Sequence, residues 1–251
     1  MNAHMKLGKL APIIDPRVPH LSKHILMGAV KPLPAVDWTK AVKSWPMLGN
    51  DKFSDCTAAA AYHMAQCFRA NSSLDDWHPN DQAALALYAA TSGFPQVDQG
   101  AVELDVLRYW AKNGIPTDIG TETIAFATLN PANLDELRLS IQWLGGVYLG
   151  VALPLTIQTQ TDTWDIVPDA PENLTAPGSL GGHAVCALAY DETSFTVVTW
   201  GQLVKVTSAF MQKYLDEAYA VVSQDWLANS GVSPSGLNWA GLQADMAALQ
   251  V

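Results

Sequence analysis

The stretch LGNDKFSDCTAAAAYHMAQCFRA, residues 48–70, decides the reading of this chain. Its first part is turn-forming, with Gly49, Asn50 and Asp51 following Pro46. Its second part is rich in alanine, the residue that favours helix most strongly. A helix is therefore expected to begin at Cys56, with Ser54 or Asp55 capping its first turn. Its Ala-rich face predicts close packing and burial. Cys56 then stands at a helix N-terminus, where backbone N–H groups and the helix dipole favour an anion. Such placement lowers a thiol's pKa. The residue types alone leave a second reading open, a small apolar residue packed in an alanine-rich helix. Asp55 opposes a thiolate by repulsion unless its carboxylate is turned into the cap. His63 lies about 10 Å further along the axis at 1.5 Å per residue, too far to activate the thiol, and reads as packing.

On the N-terminal side, residues 1–36 are Pro-rich and aperiodic, an extended arm laid over the body. His20 and His24 within it are four apart, but the proline context speaks for surface histidines rather than a metal pair. On the C-terminal side, helices are expected over 79–92, 101–113 and 130–146. Asn133 reads as a cap, and Gly93, Gly114 and Gly145 as stops. The pattern then changes. VYLGVALPL (147–155), HAVCALAY (183–190), FTVVTWG (195–201) and AYAVVSQDW (218–226) read as strands. A polar, Pro-rich loop covers 156–182, a short helix 206–217, and a terminal helix starts near Asn238. Asp75 and Asp76 read as a solvated turn pair. A helical first half and a strand-rich second half give an α+β fold. Its expected divisions are an arm over 1–36, a helical lobe over 37–146, a β-rich lobe over 147–225 and a tail over 226–251.

Composition narrows the function. The chain has 251 residues, of which 49% are hydrophobic and 15% charged, so it is globular rather than disordered. Lys and Arg number 14 against 24 Asp and Glu, a net charge of -10, with no basic run. Duplex nucleic acid and anionic membrane are therefore not expected partners. No apolar stretch reaches the ~20 residues that span a bilayer. The three cysteines, Cys56, Cys67 and Cys186, form no CxxC pair. That fits a reducing compartment and gives neither a disulfide framework nor a structural zinc site. A cytoplasmic location is the default, with a viral or phage origin left open. No P-loop, dinucleotide-binding glycine pattern or HExxH occurs, and no cofactor or metal is expected.

His183 is the second candidate. It follows Gly181-Gly182 and opens an apolar strand, where an imidazole can act as general base. A hydrogen-bonded structural histidine is the bland alternative. A nucleophile heading a helix and a base on a remote strand would meet in a cleft between the two halves.

These residues together resemble the papain-like cysteine peptidases over about residues 36–225. Asp37-Trp38 matches the family's mature N-terminus. LGNDKFSDC is similar to the loop leading to its nucleophile, with Asn50 standing six residues before Cys56 where the family has Gln. DQGAVELDVLRYWAKNGI is similar to the family's Gly-rich turn and following helix. VYLGVAL, HAVCALAY and VTWG (198–201) resemble its strands around the histidine and its Asn-Ser-Trp-Gly segment.

The resemblance implies a two-lobe fold with a central helix starting at Cys56 and an antiparallel, barrel-like β lobe. It implies Cys56 as nucleophile and His183 as base, with Asn50 and the Cys56 N–H as the oxyanion hole. Trp200 would shield the histidine. The expected substrate is a peptide or protein.

Departures are equally plain. Counted back from Trp200, the family's His-orienting Asn falls on Val198, and a one-residue shift puts Thr199 there instead. Asp165 from the preceding loop could substitute, and Trp164, Asp165 and Gly182 could rim the cleft. Thr57 replaces an aromatic residue, and the family's disulfides are missing. The segment before Asp37 is shorter than the usual inhibitory propeptide, although the arm could still cover the cleft. The leading expectation is hydrolysis of peptide or other amide bonds through an acyl-enzyme. The alternatives are a catalytically weak or inactive papain-like module that binds or builds, and a thiol acyltransferase or amidase.

Overall fold

In the computed structural model, which describes residues 5–25, 30–72, 77–229 and 238–248, helix α1 spans Cys56–Asn71 and every residue from Cys56 to Arg69 is buried. A helix can be covered on all sides only if its neighbours approach closely, and the alanines at 58–61 and 65 permit this. One side packs on the sheet and others on neighbouring helices. The expected cap differs. Asp55 is the N-cap residue, but its side chain bonds none of the first-turn amides. Its carboxylate turns inward over Gly49 instead.

Four more helices surround this core: α2 (Asp81–Thr91), α3 (Glu103–Asn113), α4 (Leu134–Leu144) and α7 (Gln224–Asn229). Their ends follow local chemistry. Asn80 and Asn133 accept from the first-turn amides of Ala83 and Glu136, the third residues of α2 and α4. Gly145 ends α4 in the left-handed region at φ 84°, its N–H returning to Ile141. A side chain at Gly145 would also meet the Trp226 ring at 2.8 Å.

Strands β1 (Val36–Asp37), β4 (Ile124–Thr128), β5 (Val147–Leu153), β6 (Thr163–Trp164), β7 (Gly181–Tyr190), β8 (Ser194–Thr199), β9 (Gln202–Thr207) and β10 (Leu215–Ser223) form one sheet. Its order is β4-β10-β5-β7-β8-β9-β6, with β1 added to β7. All pairings are antiparallel except β6 with β9. Strands β2 (Ile115–Thr117) and β3 (Gly120–Glu122) make a separate hairpin. The remaining helices are α5 (Glu172–Thr175), α6 (Ser208–Tyr214) and α8 (Trp239–Ala248). The fold is α+β, as read from the sequence.

Several details depart from the sequence reading. Residues 115–128 carry three strands, and the last joins the large sheet beside β10. The 156–182 segment holds β6 and α5 rather than loop alone. The helix expected over 206–217 ends at Tyr214, because the chain enters β10 at Leu215. His24 is buried, not on the surface, and its Nε2 lies 3.1 Å from Asp245. Asp75 and Asp76 lie outside the described residues.

Candidate active site

Cys56 and His183 are brought together where α1 points into the sheet. The buried Cys56 Sγ accepts from the backbone N–H of Ala184, the residue after His183, at 3.4 Å. His183 is also buried, and its Nε2 lies 2.7 Å from Thr199 Oγ1 while Nδ1 has no hydrogen-bond partner among the described residues. Thr199, not Val198, reaches the imidazole because side chains alternate along a strand. Val198 is buried in the core on the opposite side. His63 stays apart, bonded through Nε2 to Pro46 O at 2.8 Å.

Trp200 covers His183. Their rings stack with centroids 4.4 Å apart and planes 19° from parallel. The two residues joining β8 to β9 are Trp200 at φ 47° and Gly201 at φ 70°. Both lie in the left-handed region, as a tight hairpin turn of this twist requires. That conformation is strained for tryptophan, and it holds the indole over the imidazole. Trp164 completes the aromatic wall, 6.4 Å from His183 and 6.0 Å from Trp200. Asp165 points elsewhere. Its Oδ1 accepts from Thr207 Oγ1 at 2.6 Å and Ile166 N at 2.8 Å, so it does not serve as a partner of His183.

Asn50 is buried on the approach to α1. Its side-chain amide donates to Phe53 O at 3.2 Å and also faces the Asp55 carboxyl. Asp55 is completely buried, and neither carboxylate oxygen has a hydrogen-bond partner. Burial pushes its carboxyl up to about 7, against the pull of the nearby Asn50 amide.

Residues 6–10 run across the site on hydrogen bonds to Asn50, Ala101, Gly182 and Trp200. Gly8 N and Lys9 N both donate to Gly182 O, at 3.3 and 3.2 Å. Ala101 N donates to Gly8 O at 2.8 Å, and Leu10 N donates to Ala101 O at 3.0 Å. Lys6 N donates to Asn50 O at 3.0 Å, and Trp200 Nε1 donates to Lys6 O at 2.9 Å. Glycines make this approach possible. A Cβ on Gly8 would fall 1.9 Å from Ser54 O, and one on Gly182 would fall 2.3 Å from Lys9 O. The sequence reading missed Ala101, Gly8 and Lys9. Their contacts with the site are made by backbone, and the Lys9 side chain pairs with residues more than 200 positions away, so neither leaves a local signature.

The Cys56 and His183 side chains are both buried in this arrangement. Burial pushes the Cys56 thiol up to about 12, with Asp55 and Glu103 adding repulsion against the help of the Ala184 N–H. Burial lowers His183 to about 3. The resting pair is therefore a neutral thiol and a neutral imidazole.

No protein-family model matches the chain, and no curated protein matches it. Among solved structures, xylellain, a cysteine protease from Xylella fastidiosa, is similar at 16% identity over 87% of this chain and 96% of that one, with a TM-score of 0.69. Procathepsin B S9 from Trypanosoma congolense is similar at 12% identity, covering 87% of each chain, with a TM-score of 0.62. Bromelain from Ananas comosus, solved with the inhibitor E64, is similar at 13% identity over 76% of this chain and 99% of that one, with a TM-score of 0.55. The fold is the papain-like one.

Proposed function

We propose that this papain-like chain is a cysteine-dependent hydrolase of peptide or other amide bonds, held in a masked state by its own arm. One observation carries the reading. Cys56 Sγ is bonded to the amide next to His183, and that histidine is tied at Nε2 with Nδ1 left over.

A proton on Nε2, donated toward Thr199 Oγ1, leaves the Nδ1 lone pair as the base. The Cys56 thiol proton passes to Nδ1 as sulfur attacks the carbonyl carbon. The carbonyl oxygen becomes an oxyanion, and the Cys56 N–H and the Asn50 amide are the donors assigned to it. Collapse breaks the C–N bond, and His183 returns the proton to the leaving amine. Water then hydrolyses the thioester by the same route in reverse. The N–H groups of Ala101 and Trp200 that donate to the arm, and the Gly182 carbonyl that accepts from it, support an extended peptide as the occupant of this cleft. Arm and substrate would compete for the same groups.

The neutral resting pair is the observation that favours a second reading, a papain-like module that binds without turnover. The two separate by experiment. Iodoacetamide labelling of Cys56 is followed against pH, with peptide mapping to tell it from Cys67 and Cys186, beside hydrolysis of an unfolded protein substrate. The hydrolase reading expects hydrolysis that is abolished in Cys56→Ala with Tm little changed, because alanine suits a buried helix start. Hydrolysis retained in Cys56→Ala ends the nucleophile assignment. A Cys56 that stays inert when the arm is released supports the binding module.

A further inference from the structure

Beside the Cys56–His183 pair lie two buried carboxylates, Glu103 and Glu217, and the solvent-facing Asp216, none of which the hydrolytic reading uses. Lys9, the arm residue whose N–H bonds Gly182, sends its side chain down among them and is 1% exposed there. Its Nζ stands 2.9 Å from Asp216 Oδ2 and 2.9 Å from Glu217 Oε1. It also donates to Leu10 O at 3.2 Å. Glu217 is held by Tyr219, whose hydroxyl donates to Oε2 at 2.9 Å. Glu103, at the start of α3, is completely buried and neither of its oxygens has a hydrogen-bond partner among the described residues. On β5, Gly150 makes room for the lysine stem, since a Cβ there would fall 2.1 Å from Lys9 Cε.

The electrostatics demand a cation. Burial alone would depress the Lys9 ammonium, but Glu103, Glu217 and Asp216 outweigh it and hold it above its ordinary value. Burial pushes the Glu103 and Glu217 carboxyls up, and Lys9 pulls both back. Buried charges without partners cost several kcal/mol each. An arm that needed only an anchor could use one surface carboxylate. Here one cation serves three acids at the floor of a cleft, and its backbone lies on the cleft's own peptide-binding groups.

We propose that the Glu103, Asp216 and Glu217 pocket is the specificity site of the cleft, selecting a basic side chain of an extended peptide, and that Lys9 is its internal stand-in. This rests on the hydrolase reading, which supplies the reaction. The pocket's preference for a cation can be measured without it.

The test uses the full chain carrying Lys9→Ala, or Lys9→Met, which keeps most of the stem, if the first fails to fold. Tm is measured with n-butylammonium and with n-butanol at matched concentrations. The expected result is a saturable rise with the ammonium and none with the alcohol. Equal effects would overturn the pocket. In the same variant, Cys56 labelling is followed with tripeptidyl chloromethyl ketones in which each side chain in turn is lysine, norleucine or glutamate. Lysine should be favoured over norleucine at one position by tenfold or more, and Glu217→Gln should erase that preference. Labelling of Cys56 with no such preference overturns the proposal and leaves the hydrolase reading standing. A Cys56 that neither these probes nor iodoacetamide label removes the hydrolase reading, and the proposal with it.

Discussion

Thr199 Oγ1 lies 2.7 Å from His183 Nε2, inside a buried site walled by Trp200 and Trp164. A hydroxyl thus occupies the place where the resemblance expects a carboxamide. It can fix the ring's direction and its tautomer, which is what such a third group contributes. Thr199→Val keeps the shape and removes the bond. Turnover should fall by about tenfold or more. An imidazole nitrogen left unpaired should cost about 1–3 kcal/mol of stability. Steady-state kinetics and thermal unfolding check both. Unchanged kcat would assign the orientation of His183 to another group.

Much of this site was legible in the sequence, and the reasons are local. The alanine run after a turn announced α1, and Asn133 and Gly145 marked the ends of α4 because caps are chemistry between near neighbours. Val198 and Thr199 could not be told apart by counting, since one residue of register reverses every side chain on a strand. The turn after them gave little warning, because Trp200 sits in a conformation that sequence preference assigns to glycine or asparagine. Strands β2 and β3 are three residues each and contain Pro116 and polar side chains, too short for an alternating pattern. The course of the arm was hidden for another reason. Gly8 and Lys9 are placed by the backbone of Ala101 and Gly182, and Lys9 is buried by residues more than 90 positions away, so nothing adjacent in sequence encodes it.

Asn50 offers a separable test of the oxyanion donors. Removing one such donor costs about 10²–10³ in kcat. Asn50→Ala should show a loss of that order with KM little changed. Because the amide also bonds Phe53 O, loop damage is a competing cause. Iodoacetamide labelling distinguishes them, since alkylation forms no oxyanion. Labelling of Cys56 should proceed at the unmutated rate. A parallel fall in labelling and kcat would mean that Asn50 acts by shaping the loop before α1.

The arm's hold on the cleft depends on Gly8. A side chain there would fall on Ser54 O at 1.9 Å, and that atom is backbone and cannot swing aside. Gly8→Val should lift the arm from Gly182 and Ala101 and admit water. The burial that raises Cys56 and lowers His183 would then be relieved. Cys56 labelling near neutral pH should quicken by tenfold or more, with Cys67 and Cys186 unaffected. Amide hydrogen exchange at residues 5–10 and at Ala101 should accelerate in step. If exchange accelerates and labelling does not, the arm is not what keeps the thiol inert.

Asp55 gives a prediction for pH. Its carboxyl is completely buried, without a hydrogen-bond partner on either oxygen, and burial raises it from 3.8 to about 7. The folded chain therefore binds this proton more tightly than the unfolded chain does. The stabilisation is fully present below about pH 4 and is lost as pH rises through about 7. Asp55→Asn removes the titration and keeps the shape. Its Tm should vary less than that of the unmutated chain between pH 4 and 8, and at pH 8 it should be the more stable by about 1 kcal/mol or more. Some slope will persist, because burial also raises Glu122 to about 7. The same substitution removes a negative charge beside Cys56, which raises that thiol. Cys56 labelling in Asp55→Asn should accordingly set in at lower pH. Parallel Tm curves for the two proteins would show that Asp55 is satisfied as an anion across this range, and would overturn the account in which burial holds its proton.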